Sequence, residues 1–151
     1  MKRLANRVGG DRPRVESGLR TKTGEPGLHI LVIDDEGAIC DLIKDAFPSD
    51  VVESFTQPHE ALRRLEETTF DVVLCDFQMP EMDGIEVFEA MARLYPPLAR
   101  SFVLMTGFAD DSVVIDFLSH RRVTILPKPF RLPTLTACVS EVVARSGKGS
   151  G

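Results

Sequence analysis

Apolar and polar positions change rhythm near residue 28. Upstream, residues 1–27 hold few large apolar side chains and many Gly, Arg and Thr. That composition suits a disordered basic arm or linker, because it cannot bury enough apolar surface to offset the entropy of ordering. Downstream, short runs rich in β-branched residues alternate with segments whose apolar residues recur every three or four positions. The runs LHILVIDD (28–35), DVVESFT (50–56), FDVVLCD (70–76), SFVLMTG (101–107) and VTILPKPF (123–130) read as strands.

The intervening segments read as helices. Residues 36–47 place Ile39, Leu42, Ile43, Ala46 and Phe47 on one stripe, and Pro48 stops them. Pro58 opens a second helix striped by Ala61, Leu62 and Leu65. Ile85, Phe88, Met91, Ala92 and Leu94 stripe a third, which ends before Pro96 and Pro97. Residues 110–120 give a fourth with Val113, Val114, Phe117 and Leu118 inward. Pro133 opens a fifth carrying Leu135, Cys138, Val139, Val142 and Val143. Residues 147–151 read as a flexible tail. Repeated βα units imply an α/β domain over 28–146, with one parallel sheet covered by helices on both faces.

Composition narrows the function class. The 151 residues carry a net charge of −5, but residues 1–27 hold seven Lys/Arg against three carboxylates, a net of +4, which leaves −9 for the body. An acidic body disfavours nucleic acid as the main partner and suits a site that collects carboxylates for a cation. No apolar run approaches the roughly 18 residues of a membrane span, and no apolar stretch follows the basic start as in a secretory signal. The expectation is a soluble cytoplasmic protein. The three cysteines, Cys40, Cys75 and Cys138, lack metal-ligand spacing and read as buried thiols.

Candidate chemistry lies at the strand ends, where open parallel sheets bind ligands. The first strand ends in Asp34 and Asp35, the third in Asp76, the fourth in Thr106 and the fifth in Lys128. Taken singly, each has a structural explanation: a strand-end Asp is often a turn former or helix cap, and a lone lysine is usually solvated. As a set they say more. Three converging carboxylates repel unless a cation offsets them, and hard oxygen ligands suit Mg²⁺, which takes its remaining ligands from water and a phosphate. Lys128 and the Thr106 hydroxyl would then donate to phosphoryl oxygens.

The segments VIDDE (32–36), LCDFQMPEMDG (74–84), LMTG (104–107) and PKPF (127–130) together resemble the receiver domain of bacterial two-component response regulators. The resemblance covers about residues 28–146. It implies a doubly wound, flavodoxin-like sheet in the order 2-1-3-4-5, with Asp76 as phosphoacceptor. Asp35 and Asp76 would bind Mg²⁺ directly, Asp34 through water, and the Gln78 carbonyl would complete the protein's ligands. Thr106 and Lys128 would contact the phosphoryl group, and the Lys128–Pro129 peptide would be cis. The implied donor is a sensor histidine kinase or a histidine phosphotransfer protein, and the chain would act as a switch rather than a turnover enzyme.

Three departures from the family pattern bear on output. Ile125 stands where many receivers carry an aromatic that moves with the threonine. Pro127 precedes the lysine, and Phe108 is bulky enough to shield an acyl phosphate from water. No DNA-binding or other output domain is expected after the last helix, and output is expected through contact with an unidentified protein target, with homodimerisation also open. The candidate output face carries Asp111, Asp116, His120, Arg121 and Arg122. Competing readings are a phosphorelay intermediate, a receiver excised from a hybrid histidine kinase, and a phosphorylation-independent scaffold that kept its acidic pocket.

Overall fold

The computed structural model describes residues 27–148, so all but the last residue of the arm expected at 1–27, and the final residues 149–151, lie outside the described residues. Five strands form the sheet: β1 (His29–Ile33), β2 (Val51–Phe55), β3 (Val72–Asp76), β4 (Phe102–Thr106) and β5 (Thr124–Pro127). All pairings are parallel, in the order β2-β1-β3-β4-β5. The helices are α1 (Gly37–Ala46), α2 (Pro58–Arg64), α3 (Gly84–Leu94), α4 (Ser112–His120) and α5 (Leu132–Lys148).

Every residue of the three central strands is buried, which is why they read as unbroken apolar runs. Side chains alternate between two layers. Leu31, Ile33, Val73 and Leu104 pack with Ala61, Val87, Phe88, Met91 and Phe117 of α2, α3 and α4. Ile30, Val32, Leu74 and Met105 pack with Cys40, Ile43, Leu135 and Val139 of α1 and α5. Each buried Leu, Ile or Phe contributes about 1.5–3 kcal/mol, so both layers are needed to hold the sheet. Phe88 joins α3 to β4 and α4 through edge-on contacts with Phe102 and Phe117, at centroid distances of 5.2 and 5.3 Å.

The sheet grows outward in both directions from β1 and β3. The resulting switch point puts the end of β1, with Asp34 and Asp35 just beyond it, beside the end of β3 at Asp76. Pro127 closes β5 on the sheet edge, where a missing amide donor costs no ladder bond. The next amide still reaches back, Lys128 N–H to the Thr106 carbonyl at 2.8 Å.

Some expectations shift. A 3-10 helix, Pro96–Ser101, fills the gap between α3 and β4, where two prolines had marked only a break. Val113 and Leu94 are exposed rather than inward, and Leu42 sits at the edge of its stripe; Val114 and Phe117 carry the buried face of α4. The last helix starts at Leu132 and runs to Lys148, into the stretch expected as tail.

Candidate functional site

The turn after β1 folds on its own first carboxylate. Asp34 is fully buried, and its Oδ1 accepts the Glu36 amide N–H at 2.9 Å, which aims the other oxygen across the sheet edge. That oxygen, Oδ2, takes Lys128 Nζ at 2.8 Å. The same ammonium lies 2.9 Å from Asp76 Oδ1 and 3.9 Å from Glu36 Oε1. Asp35 is exposed, yet one carboxylate oxygen from each of Asp34, Asp35 and Asp76 fits within 4.8 Å of the others. The sheet thus brings four of the six expected residues into one cluster.

The other two are placed differently. Thr106 is buried at the end of β4, one strand away from Asp76, and its Oγ1 accepts the Phe108 amide N–H at 2.8 Å. Accepting that bond leaves the hydroxyl proton free to donate, as a phosphoryl contact would require. Gln78 lies two residues beyond β3 in the following loop, with its side chain exposed. The Lys128–Pro129 peptide is cis, as the resemblance implied.

The electrostatics follow from crowding. Burial pushes the Asp76 carboxyl up to about 6, with repulsion from Asp34 and Asp35 adding to it and Lys128 opposing it. Burial works against the Lys128 ammonium, but its bonds to Asp34 and Asp76 outweigh that and raise it. A single ammonium therefore compensates part of a three-carboxylate cluster. Oxygen ligands in this number, partly open to water through Asp35, fit a hard divalent cation such as Mg²⁺.

The loop that leaves Asp76 is pinned at both ends. Its far end is a capping box: the Asp83 side chain accepts the Glu86 N–H and Glu86 Oε1 accepts the Asp83 N–H, both at 2.9 Å. Gly84 N–H bonds the Phe77 carbonyl at 2.8 Å. A Cβ on Gly84 would lie 2.5 Å from the Asp76 carbonyl oxygen and 2.6 Å from Leu104 Cδ1. This glycine closes the motif LCDFQMPEMDG, and its signal in the sequence is an Asp-Gly pair directly at a helix start. Glu81 in the same loop has φ of 75°, a conformation few side chains adopt. Gly107 is far less constrained than Gly84, because a Cβ there would meet only the Lys128 carbonyl at an ordinary 3.7 Å.

The flanking surfaces differ in character. Phe108 is 47% exposed at the rim. Ile125 is partly buried against the α2–α4 layer. On the expected output face, Asp111 caps α4 by accepting the Val113 N–H at 2.7 Å, and Arg121 pairs with Glu89 of α3 at 2.8 Å. Beside Lys128, an apolar hollow of about 320 Å³ is lined by Glu36, Ile39, Leu42, Lys128, Pro129 and Phe130.

Comparison with known proteins agrees with this geometry. The transcriptional regulatory protein ZraR of Salmonella typhimurium is 29% identical over 122 residues, which is 79% of this chain and 27% of that protein. The sensor kinase CckA of Brucella abortus is 32% identical over 88 residues, 57% of this chain and 9% of that protein. The chain thus spans about a quarter or less of these two relatives' length. A CheY-like receiver domain protein from Methanospirillum hungatei superimposes with a TM-score of 0.74 at 26% identity, covering 82% of this chain and 98% of that one. Residues 30–140 match the response regulator receiver domain as a family, and the chain belongs to that family of two-component signalling domains.

Proposed function

We propose that Asp76 accepts a phosphoryl group from a phosphohistidine on a sensor histidine kinase or histidine phosphotransfer protein, and that the protein signals through a change in protein contacts. The observation that carries this reading is the Lys128 ammonium held between Asp34 and Asp76, with Asp35 closing the acidic cluster. An Asp76 oxygen attacks phosphorus, the bond from phosphorus to the imidazole nitrogen breaks, and the imidazole leaves. Lys128 then turns from its carboxylate partners toward the phosphoryl oxygens, and Thr106 donates its unspent hydroxyl proton to one of them. Asp34, Asp35, Asp76 and the Gln78 carbonyl would hold Mg²⁺. Bound there, the ion supplies charge neutralisation for the transferring group.

Water attack on the acyl phosphate breaks its phosphorus–oxygen bond, releases inorganic phosphate and returns the Asp76 carboxylate. The protein acts on itself rather than on a diffusible substrate. The apolar hollow beside Lys128 adjoins the acceptor and offers a contact surface to the phosphodonor protein.

The test is incubation with Mg²⁺ and acetyl phosphate, read by intact mass. A phosphate adduct is expected in the wild type and not in Asp76→Asn. An adduct that persists in Asp76→Asn, or none in the wild type, rejects Asp76 as acceptor. The match to a sensor kinase over 88 residues favours keeping one second reading, a receiver that belongs to a hybrid kinase. Rapid back-transfer of phosphate to a histidine phosphotransfer protein would mark a relay role; a long-lived adduct would mark a terminal switch.

A further inference from the structure

At the opposite end of β1 from the acidic cluster lies a charged group that phosphoryl transfer does not use. His29 is 2% exposed, and both of its ring nitrogens make short contacts. Nδ1 is 2.6 Å from the Thr69 carbonyl oxygen, and Nε2 is 2.6 Å from Glu53 Oε2. A backbone carbonyl can only accept. Glu53 is engaged by Arg64 through Nε at 2.7 Å and Nη2 at 3.1 Å. Both Glu53 oxygens accept from the same guanidinium, the two-point pairing of an ionised carboxylate, so Glu53 also only accepts.

A neutral imidazole has one donor and one acceptor nitrogen. In either tautomer, one lone pair would face an oxygen lone pair at 2.6 Å. Protonation of both nitrogens removes the conflict. The ring also lies 4.1 Å from the Phe70 ring, at a tilt of 32°, where a cation is favoured over a neutral ring. The charged groups facing His29 are Glu53 from β2, Arg64 from α2 by way of Glu53, and Asp71 ahead of β3, whose Oδ2 accepts the His29 backbone N–H at 2.8 Å.

We propose that His29 is a doubly protonated imidazolium and that, with Glu53 and Arg64, it forms a pH-sensitive clamp holding edge strand β2 and helix α2 to β1. Among the described residues β2 pairs with β1 alone, so a clamp across that pair controls how firmly the sheet edge is held. When the ring gives up a proton at rising pH, one of the two short contacts turns repulsive and the edge loosens. Falling pH weakens the clamp by another route, through protonation of Glu53.

Long-range nitrogen–proton NMR of the ring on the full chain tests this directly. At pH 6.5 both His29 nitrogens of the wild type should be protonated. As pH rises and the ring loses a proton, amide-exchange protection in β2 should fall at least tenfold while β4 stays unchanged. Glu53→Gln supplies an amide that can donate to a neutral ring, so its β2 protection should be flat over the same range. A single-tautomer neutral ring in the wild type at pH 6.5 overturns the proposal. So does β2 protection that is unchanged when the proton leaves, or a ring that keeps both protons to pH 10.

Discussion

Replacing Asp76 with Asn should stabilise the metal-free protein, and by an amount that depends on pH. The carboxyl is pushed from 3.8 up to about 6, so the folded protein binds this proton more tightly than the unfolded chain does. Below pH 3.8 both states are protonated and Asp76 has no effect on the balance. Between 3.8 and about 6 the unfolded chain releases the proton first, and stability falls as pH rises. Above about 6 the penalty is complete. About two pH units at about 1.4 kcal/mol each give a ceiling near 3 kcal/mol. Asn avoids the penalty, since it carries no charge and its oxygen can still accept from Lys128. In EDTA, urea denaturation should therefore give a mutant-minus-wild-type difference near zero at pH 3.5, rising to about 2–3 kcal/mol by pH 7.5. Saturating Mg²⁺ should narrow the gap, because the wild type gains more from the ion. A difference that is constant from pH 3.5 to 7.5, or one of opposite sign, would falsify the account of a crowded, under-compensated cluster.

Other substitutions probe the same site from its supports. Lys128→Ala strips two buried carboxylates of their shared ammonium and should cost about 3 kcal/mol in EDTA by denaturant titration, with much of it recovered in Mg²⁺. Equal loss with and without the ion would contradict that compensation. Gly84→Ala drives a methyl against the Asp76 carbonyl and Leu104, and should cost about 1–3 kcal/mol. It should also slow phosphate uptake from acetyl phosphate, and an unchanged uptake rate would show that the loop absorbs the methyl elsewhere. Glu81→Gly relieves a positive φ and should raise stability by about 0.5–1 kcal/mol, seen as a higher Tm; a lower Tm would refute it. Phe108→Ala should shorten the lifetime of the phosphorylated protein, followed by intact mass over time, and an unaltered lifetime would remove the shielding role.

What the sequence made legible was whatever depends on short range. Strands buried on both faces appear as continuous apolar runs, and each carries its chemical residue where the run stops, so Asp34, Asp76 and Thr106 could be placed before any contact was known. Helix faces were less certain where apolar residues surround the axis. Val113, Val114 and Ile115 are consecutive, and only packing decides that Val114 turns inward. The segment around Pro96 and Pro97 read as a break, yet proline is well suited to the first turn of a 3-10 helix.

Longer-range partners were out of reach. His29 looked like part of an apolar strand, and its pairing with Glu53 depends on strand register and on Arg64 arriving from α2. Lys128 was placed as a phosphoryl contact from the strand ends alone. That it spans Asp34 and Asp76 in the unphosphorylated protein needed the geometry.

The Lys128–Asp34 bond joins residues 94 positions apart. A ribosome therefore delivers the carboxylates of this site long before the ammonium that reconciles them. Until β5 takes its place at the sheet edge, Asp34 and Asp76 have no shared ammonium, and on the proposed function the group that would meet an incoming phosphate is missing. Docking of β5 and completion of the charged cluster are thus the same event, and on the proposed function a domain cut before Lys128 should carry Asp76 yet take up phosphate poorly.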